Sequence, residues 1–437
     1  MATRISLDNL LRNSTGDPRA DIALLSRFLG QYTLQEDGFQ NFYLGGGNTS
    51  VHLGDRMFVK LSGYPLSTIT SDGFGDVSVH KVIDGLKKLE ELCMQVLESD
   101  YIRDFSPVME LDAKVTKLLN RANQGVGEPS VETGLHAQLA GTPERPRCNI
   151  HTHNTIVNAL LCSNGAETGY NELFGDDPNV QFMDFVEPGA PLSVAFNRRM
   201  KEWRSKGLDP KVILMAQHGI VVTGYSMEEV VELHDKVAIR IKEYLEKHLP
   251  EHPFGVSDCN PYNQVARQNA LLDVASCFPG RTVHTPDEEN DLVLRMLLSK
   301  TTKTSESAYA RIARGMPNPD AVVYGGVALM VVNRVKGDPT SNLRKRIEAA
   351  KERYVEDHKN IRLDGSPYLP RIVLIPGLCS FTIGEDSKKC HKAYAALLDT
   401  VYVMRGAEAF GGMKPLSPKH LFYITNWGAE KRRAQRV

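Results

Sequence analysis

Length and pattern point to an α/β chain folded as two lobes, on three grounds. The chain has 437 residues, which at roughly 100–200 residues per domain implies two or three domains. Apolar runs of strand period alternate with runs of helical period along the chain. Between them, residues 249–263, LPEHPFGVSDCNPYN, are rich in Pro, Asn and Gly and read as a linker. The expected division is therefore 1–250 and 264–437.

The first helical pattern spans residues 20–32, with Ile22, Leu24, Leu25, Phe28 and Leu29 at helical spacing. From Asn41 to Gly63 the chain reads as short strands and turns, with VHL and MFVKL separated by the Gly54-Asp55 turn signal. Helices are expected at 80–96 and 108–121, and at 131–140 behind the cap signal Pro129-Ser130. RCNIHTH, 147–153, is a buried strand end, and VILMAQHGIVVTG, 212–224, a second strand region. Ser226 with Glu229 forms a capping box ahead of a helix reaching about His248. Beyond the linker, AVVYGGVALMVV and RIVLIPGLCSFTIG read as strands, and 341–357 and 386–404 as helices.

Composition excludes several function classes. Lys and Arg number 52 against 53 Asp and Glu, a net charge of −1, so no global electrostatic attraction to nucleic acid exists. No apolar run approaches the ~18 residues of a membrane span, and the first residues lack the apolar core of a signal peptide. The seven cysteines are scattered, with no C-x-x-C, and their number is odd. That pattern fits reduced thiols in a cytoplasmic protein rather than a disulfide framework.

The chemistry is carried by histidines. His151 and His153 are two positions apart, so on a strand both rings face one way and Thr152 the other. His218 lies in the next strand region, inside AQHG, where Gly219 lets the backbone turn away. Three neutral imidazoles suit Zn²⁺ with a fourth position open. H-x-H also arises by chance among 13 histidines; His80, His136 and His234 lack such a context and read as surface or helix-face residues. Glu132, in PSVETGLHA, is on its own an ordinary favourable charge at a helix start. Facing a metal, it becomes a carboxylate able to move a proton to or from a carbon that the metal acidifies. Gly45-Gly46-Gly47-Asn48-Thr49-Ser50 can expose backbone N–H groups to an anion, or be a plain turn. Lys60-Leu61-Ser62-Gly63 offers a hydroxyl and a further N–H.

GGGNTS, KLSG, PSVET, HTH and QHG, in this order, resemble the class II aldolase/adducin family over about residues 20–245. Within that family the sequence is most similar to the aldolase half of bifunctional rhamnulose-1-phosphate aldolase/alcohol dehydrogenases. VLIPGLCSFTIG and VMRGAEAFGGMKPLSP extend the likeness through the C-terminal part. No G-x-G-x-x-G follows a strand to replace the dehydrogenase half. The resemblance implies a class II aldolase-like α/β/α fold with a mostly antiparallel central sheet, plus a second α/β lobe. It implies His151, His153 and His218 as zinc ligands and Glu132 as acid/base, able to occupy the metal at rest. It implies Asn48, Ser62, Gly63 and Ser130 at the substrate phosphate. Val131 departs from the second serine of many phosphate-binding members. A homotetramer and a tyrosine proton donor from a neighbouring subunit are also implied; the tyrosine has no counterpart that can be mapped here.

The expected reaction is reversible cleavage of a ketose 1-phosphate, such as rhamnulose 1-phosphate, to dihydroxyacetone phosphate and an aldehyde. A sugar-phosphate 4-epimerase or a dehydratase would use the same scaffold, and an adducin-like protein would be structural. A last expectation comes from comparing the chain with itself. Residues from Val212 align without gaps on residues from Ile372, so that 264–437 reads as a degenerate, metal-free copy of the first lobe. His218 falls on Leu378, and Tyr324-Gly325-Gly326 is the counterpart of H-x-H.

Overall fold

The computed structural model describes residues 7–31, 46–141, 145–254, 264–286, 289–300, 306–333, 335, 340–429 and 432. Gly45 of the glycine triplet, residues 41–44 and most of the expected linker, 255–263, lie outside them. The chain divides into two compact units. One comprises Met1–Leu161, Ala166–Tyr244 and Trp427–Val437, the other Cys162–Gly165 and Leu245–Asn426.

Among the described residues, the first unit carries a seven-stranded sheet. Its strands are β1 (Asn48–Leu53), β2 (Arg56–Lys60), β3 (Phe74–Ser78), β4 (Arg147–Thr152), β5 (Val180–Met183), β6 (Val212–Met215) and β7 (Gly219–Gly224). They lie in the order β3-β2-β1-β4-β7-β6-β5. Every neighbouring pair is antiparallel except β5 with β6, so the sheet is mostly antiparallel and the fold is α/β with helices packed on it. The β1–β2 hairpin turns at Gly54-Asp55, as its turn chemistry dictates. Helix Ala190–Ser205 buries Leu192, Phe196, Met200 and Trp203 at helical spacing. These meet Ile213, Met215 and Val221 of the sheet in one apolar cluster with Leu135 and Leu139. That packing fixes the helix Thr133–Ala137, and with it Glu132, against the strands that carry the histidines.

The second unit carries β8 (Thr282–His284), β9 (Met330–Val331), β10 (Ile372–Ile375) and β11 (Cys379–Gly384), in the order β8-β11-β10-β9. One expectation fails here. Of AVVYGGVALMVV, only Met330–Val331 is strand, and Pro319–Gly325 is a helix. The side chain of Asn318 accepts a hydrogen bond from Ala321 N at 2.9 Å, and Pro319 sits in the first turn. This start signal overrides the β-propensity of Val322, Val323 and Tyr324.

Candidate metal centre

β4 runs through the middle of the larger sheet, between β1 and β7. His151 therefore has Asn48 of β1 on one side and Val221 of β7 on the other. Its Nδ1 lies 2.9 Å from the Ile220 carbonyl. A carbonyl only accepts, so Nδ1 carries the proton and Nε2 presents its lone pair, the arrangement a metal-binding histidine needs. Thr152 points to the other face and bonds His234 at 2.9 Å. His153 follows the strand end, and its Nε2 stands 3.0 Å from Nε2 of His151.

His218 enters from the tight β6–β7 turn. Gln217, not Gly219, takes the left-handed conformation there, with φ 52°. Gly219 serves a different need from the one its position in the sequence suggested. A Cβ on it would stand 2.4 Å from the Thr152 carbonyl and 2.9 Å from the His153 ring. The glycine makes room for the imidazoles.

Glu132 directly precedes the short helix, but its side chain does not cap it. Its Oε1 lies 3.0 Å from His218 Nε2 and 3.5 Å from His151 Nε2. Its other oxygen accepts from the Asn48 amide. The four candidate ligand atoms of Glu132, His151, His153 and His218 all fall within 4.8 Å of one another. A tetrahedral centre with bonds of ~2.1 Å has ligand–ligand edges of ~3.4 Å, so separations of 3.0–3.5 Å fit one shared ion. Burial opposes the charge on Glu132, but His151 and His218 outweigh it and hold the carboxyl well below the usual range. Burial pulls His218 down to about 4, against the attraction of Glu132, so its ring is neutral at pH 7. One carboxylate and three imidazoles are a donor set for a divalent cation.

Glu132 also borders an open cleft. Asn48, Ser62, Gly63 and Ser130, the residues that the resemblance implied at the phosphate, line the same cleft, with Gly46 and Gly47 of the glycine triplet. Gly47, with φ 87°, passes so close to β4 that a Cβ would stand 2.8 Å from the His151 carbonyl. The Ser62 amide is taken up by the Glu128 carbonyl at 2.9 Å, leaving its hydroxyl for the cleft. Asn48, expected at the phosphate, gives its amide to Glu132 as well.

Two features escaped the sequence reading. Lys60 lines the cleft although it is only 5 % exposed, and so places a cation among the anion residues. Its signal was its place in KLSG, two positions before Ser62. His136 and His234 lie on helices, one of the two readings given for them, but on fully buried faces, whereas His80 is exposed. His136 shares Ser50 with Asn149, at 2.8 and 3.2 Å, in a polar layer behind the cluster.

The family model described as Class II Aldolase and Adducin N-terminal domain matches residues 33–239. That of Aldolase class II, second domain, matches residues 292–433. The chain belongs to the class II aldolase/adducin family. A curated relative of this class II aldolase-family chain is an uncharacterized oxidoreductase, YuxG, of Bacillus subtilis (strain 168). It is 21 % identical over 410 residues that make up 88 % of this chain and 54 % of that protein. The chain thus spans about half the length of that curated relative. Among solved structures, the N-terminal class II aldolase domain of a conserved protein from Thermoplasma acidophilum is 22 % identical, with a TM-score of 0.38, over 53 % of this chain and 94 % of that one. L-fuculose-1-phosphate aldolase from Thermus thermophilus is 17 % identical, with a TM-score of 0.31, over 53 % of this chain and 96 % of that one.

Proposed function

We propose that this class II aldolase-family protein is a zinc-dependent aldolase that reversibly cleaves a ketose 1-phosphate, of the rhamnulose 1-phosphate kind, to dihydroxyacetone phosphate and an aldehyde. The observation that carries this reading is the double position of Glu132. Its carboxylate touches two candidate metal ligands and also borders the cleft lined by Lys60, Ser62, Gly63 and Ser130. His151, His153 and His218 would hold Zn²⁺, which when bound supplies Lewis-acid polarisation of the substrate's oxygens.

The remaining chemistry belongs to the chain. The hydroxyls of Ser62 and Ser130, the Asn48 amide and the Lys60 ammonium suit a phosphate, which wants donors and positive charge. Lys60 compensates for the missing hydroxyl at Val131. Glu132, ionised at rest, takes a proton from C3 of dihydroxyacetone phosphate in the synthetic direction. The electron pair left on C3 forms the new bond to the aldehyde carbon, and the aldehyde oxygen takes up a proton to become the C4 hydroxyl. Cleavage reverses each transfer, with Glu132 returning the proton to C3. We further expect a cytoplasmic homotetramer, for which light scattering is the direct measurement.

Glu132→Gln keeps the side chain's shape and removes the base. It should retain zinc and lose C3 proton exchange in dihydroxyacetone phosphate by ~10²–10⁴-fold, read by deuterium incorporation beside metal analysis. Unchanged exchange would place the base elsewhere. Products from a panel of ketose 1-phosphates distinguish the activities, because an epimer formed without dihydroxyacetone phosphate would replace the aldolase with an epimerase.

A further inference from the structure

Part of the first unit corresponds position by position to part of the second. β6 and β7 begin and end at Val212–Met215 and Gly219–Gly224; β10 and β11 do so at Ile372–Ile375 and Cys379–Gly384, a constant 160 positions later. The pairing register is the same, with Val212 opposite Val222 and Ile372 opposite Thr382. The left-handed residue of the first turn is Gln217 and that of the second is Gly377. The following helices start at Met227 and Ser387. Their caps also correspond: Glu229 N donates to Ser226 Oγ at 3.1 Å, and Lys389 N to Asp386 Oδ1 at 2.8 Å.

A hairpin and a helix alone would be a common unit, but the likeness continues around them. β7 is flanked by antiparallel β4 and β6 by parallel β5, as β11 is flanked by antiparallel β8 and β10 by parallel β9. After β4, Asn154 caps a helix through Ile156 N and Val157 N; after β8, Asn290 does so through Leu292 N and Val293 N. The His151 ring meets the carbonyl of Ile220 at 2.9 Å, and the Thr285 hydroxyl meets the carbonyl of Ser380, the matching residue, at 3.0 Å. The counterpart of the H-x-H strand is therefore β8 and not Tyr324-Gly325-Gly326, which is helix end and turn.

This correspondence carries the metal ligands onto named residues. His218 falls on Leu378, His151 on Thr285, and His153, directly before the capping asparagine, on Glu289. Around them lies a hydrogen-bonded cluster. Arg267, 4 % exposed, donates to Thr285 Oγ1 at 2.9 Å. Glu289 accepts from Ser380 N at 2.7 Å, from Ser380 Oγ at 2.9 Å and from Tyr394 at 3.0 Å. Burial raises the Glu289 carboxyl, while these bonds and the charge of Arg267 pull it back.

We propose that the second unit is a duplicate of the metal-binding unit whose metal centre has been replaced by this cluster, the Arg267 guanidinium supplying the positive charge that an ion supplies in the original. The second unit then holds its own fold without metal and takes no part in proton transfer. Zinc analysis of the full chain should give one ion, lost in His153→Ala with His218→Ala and retained in Glu289→Gln. A second ion, or loss of zinc in Glu289→Gln, would overturn the proposal. No ion at all would refute the metal reading of the first unit and leave the duplication to a second measurement. The charge of buried Arg267 acts on Glu289, so removing either changes what the other meets, and neighbouring sites of this kind do not add. Arg267→Met and Glu289→Gln should each lower the melting temperature by several degrees, and the double variant by less than their sum. Strict additivity would overturn the replacement, and an experimental structure with β8–β11 in another order would overturn the duplication.

A second, independent observation concerns the segment from Trp427 onward, which groups with the first unit. The Trp427 Nε1 donates to Asp112 at 3.0 Å, and Arg432 reaches Asp112 at 3.2 Å and Thr116 at 3.2 Å. Gly189 packs against the indole so closely that a Cβ would stand 2.7 Å from it. Held between these anchors, Ala429 is 5 % exposed and forms part of the wall of the cleft. We infer that Ala429 is a specificity-determining residue whose small side chain sets the room for the anion, an inference that rests on the aldolase reading. Calorimetry with inorganic phosphate on the zinc-loaded protein tests it. Ala429→Leu should weaken binding at least tenfold with zinc content unchanged. Equal binding by this variant would overturn the wall; no binding by the unaltered protein would overturn the phosphate reading first.

Discussion

Glu132 is held from three sides, by the Asn48 amide, by His218 and by His151, and the proposed chemistry rests on it. Its local spacing marked only a glutamate at a helix start. Its company comes from three separate strands and turns, so its role was open until the chain folded. The histidines behind it have a measurable consequence. Burial, reinforced by the charge of Arg147, pulls His52 down to about 3, against the opposing pull of the His136 backbone as an acceptor. Burial, with His151, likewise brings His136 to about 3. Unfolded histidine titrates near ~6.5. Between ~6.5 and about 3 the unfolded chain takes up protons that the native state refuses. Stability is then full above that window and falls as the pH drops through it. Urea unfolding of zinc-stripped protein should show a lower midpoint at pH 5 than at pH 7.5, and His52→Asn should flatten that slope. An unaltered slope in the variant would remove His52 from the account.

Among the elements, the β6–β7 turn delivers His218 and clears the space around it. The candidate pair His151 and His153 was legible from its spacing, although β4 ends at Thr152 and His153 lies just beyond it. The reason for Gly219 was not legible, since the crowding comes from β4, a segment far earlier in the chain. Gly219→Ala must push Thr152 or the two rings aside, because the nearest contact is backbone. It should lower zinc affinity at least tenfold, read by competition with a chelator, while the far-ultraviolet circular dichroism is retained. Native affinity in that variant would mean that the turn yields without moving the ligands. The misread helix Pro319–Gly325 shows how a cap formed by one side chain, Asn318, outweighs the local preference of several residues.

For the whole molecule, a divalent ion bound only by the native state would add stability as the logarithm of its concentration over its dissociation constant, ~4 kcal/mol at a thousandfold excess. Chelation should therefore lower the melting temperature. If the second unit melts separately, the shift should be confined to one transition in calorimetry. A shift of both transitions would show that the second unit depends on the ion.

Local pattern was enough for the α/β class, the hairpin at Gly54-Asp55, the pair His151 and His153 at the end of β4 and the five short motifs, because alternation, turn chemistry and spacing act over a few residues. The gapless alignment of residues from Val212 on residues from Ile372 was legible in the same way. Long-range packing was needed to bring Glu132 to His151 and His218, to set Lys60 beside Asn48 and Ser130, and to pair β8 with β11 while Tyr324-Gly325-Gly326 became helix end and turn. Each of these is a juxtaposition of segments far apart in the chain, set by which strands pair and which apolar faces pack, and no local pattern encodes the partner.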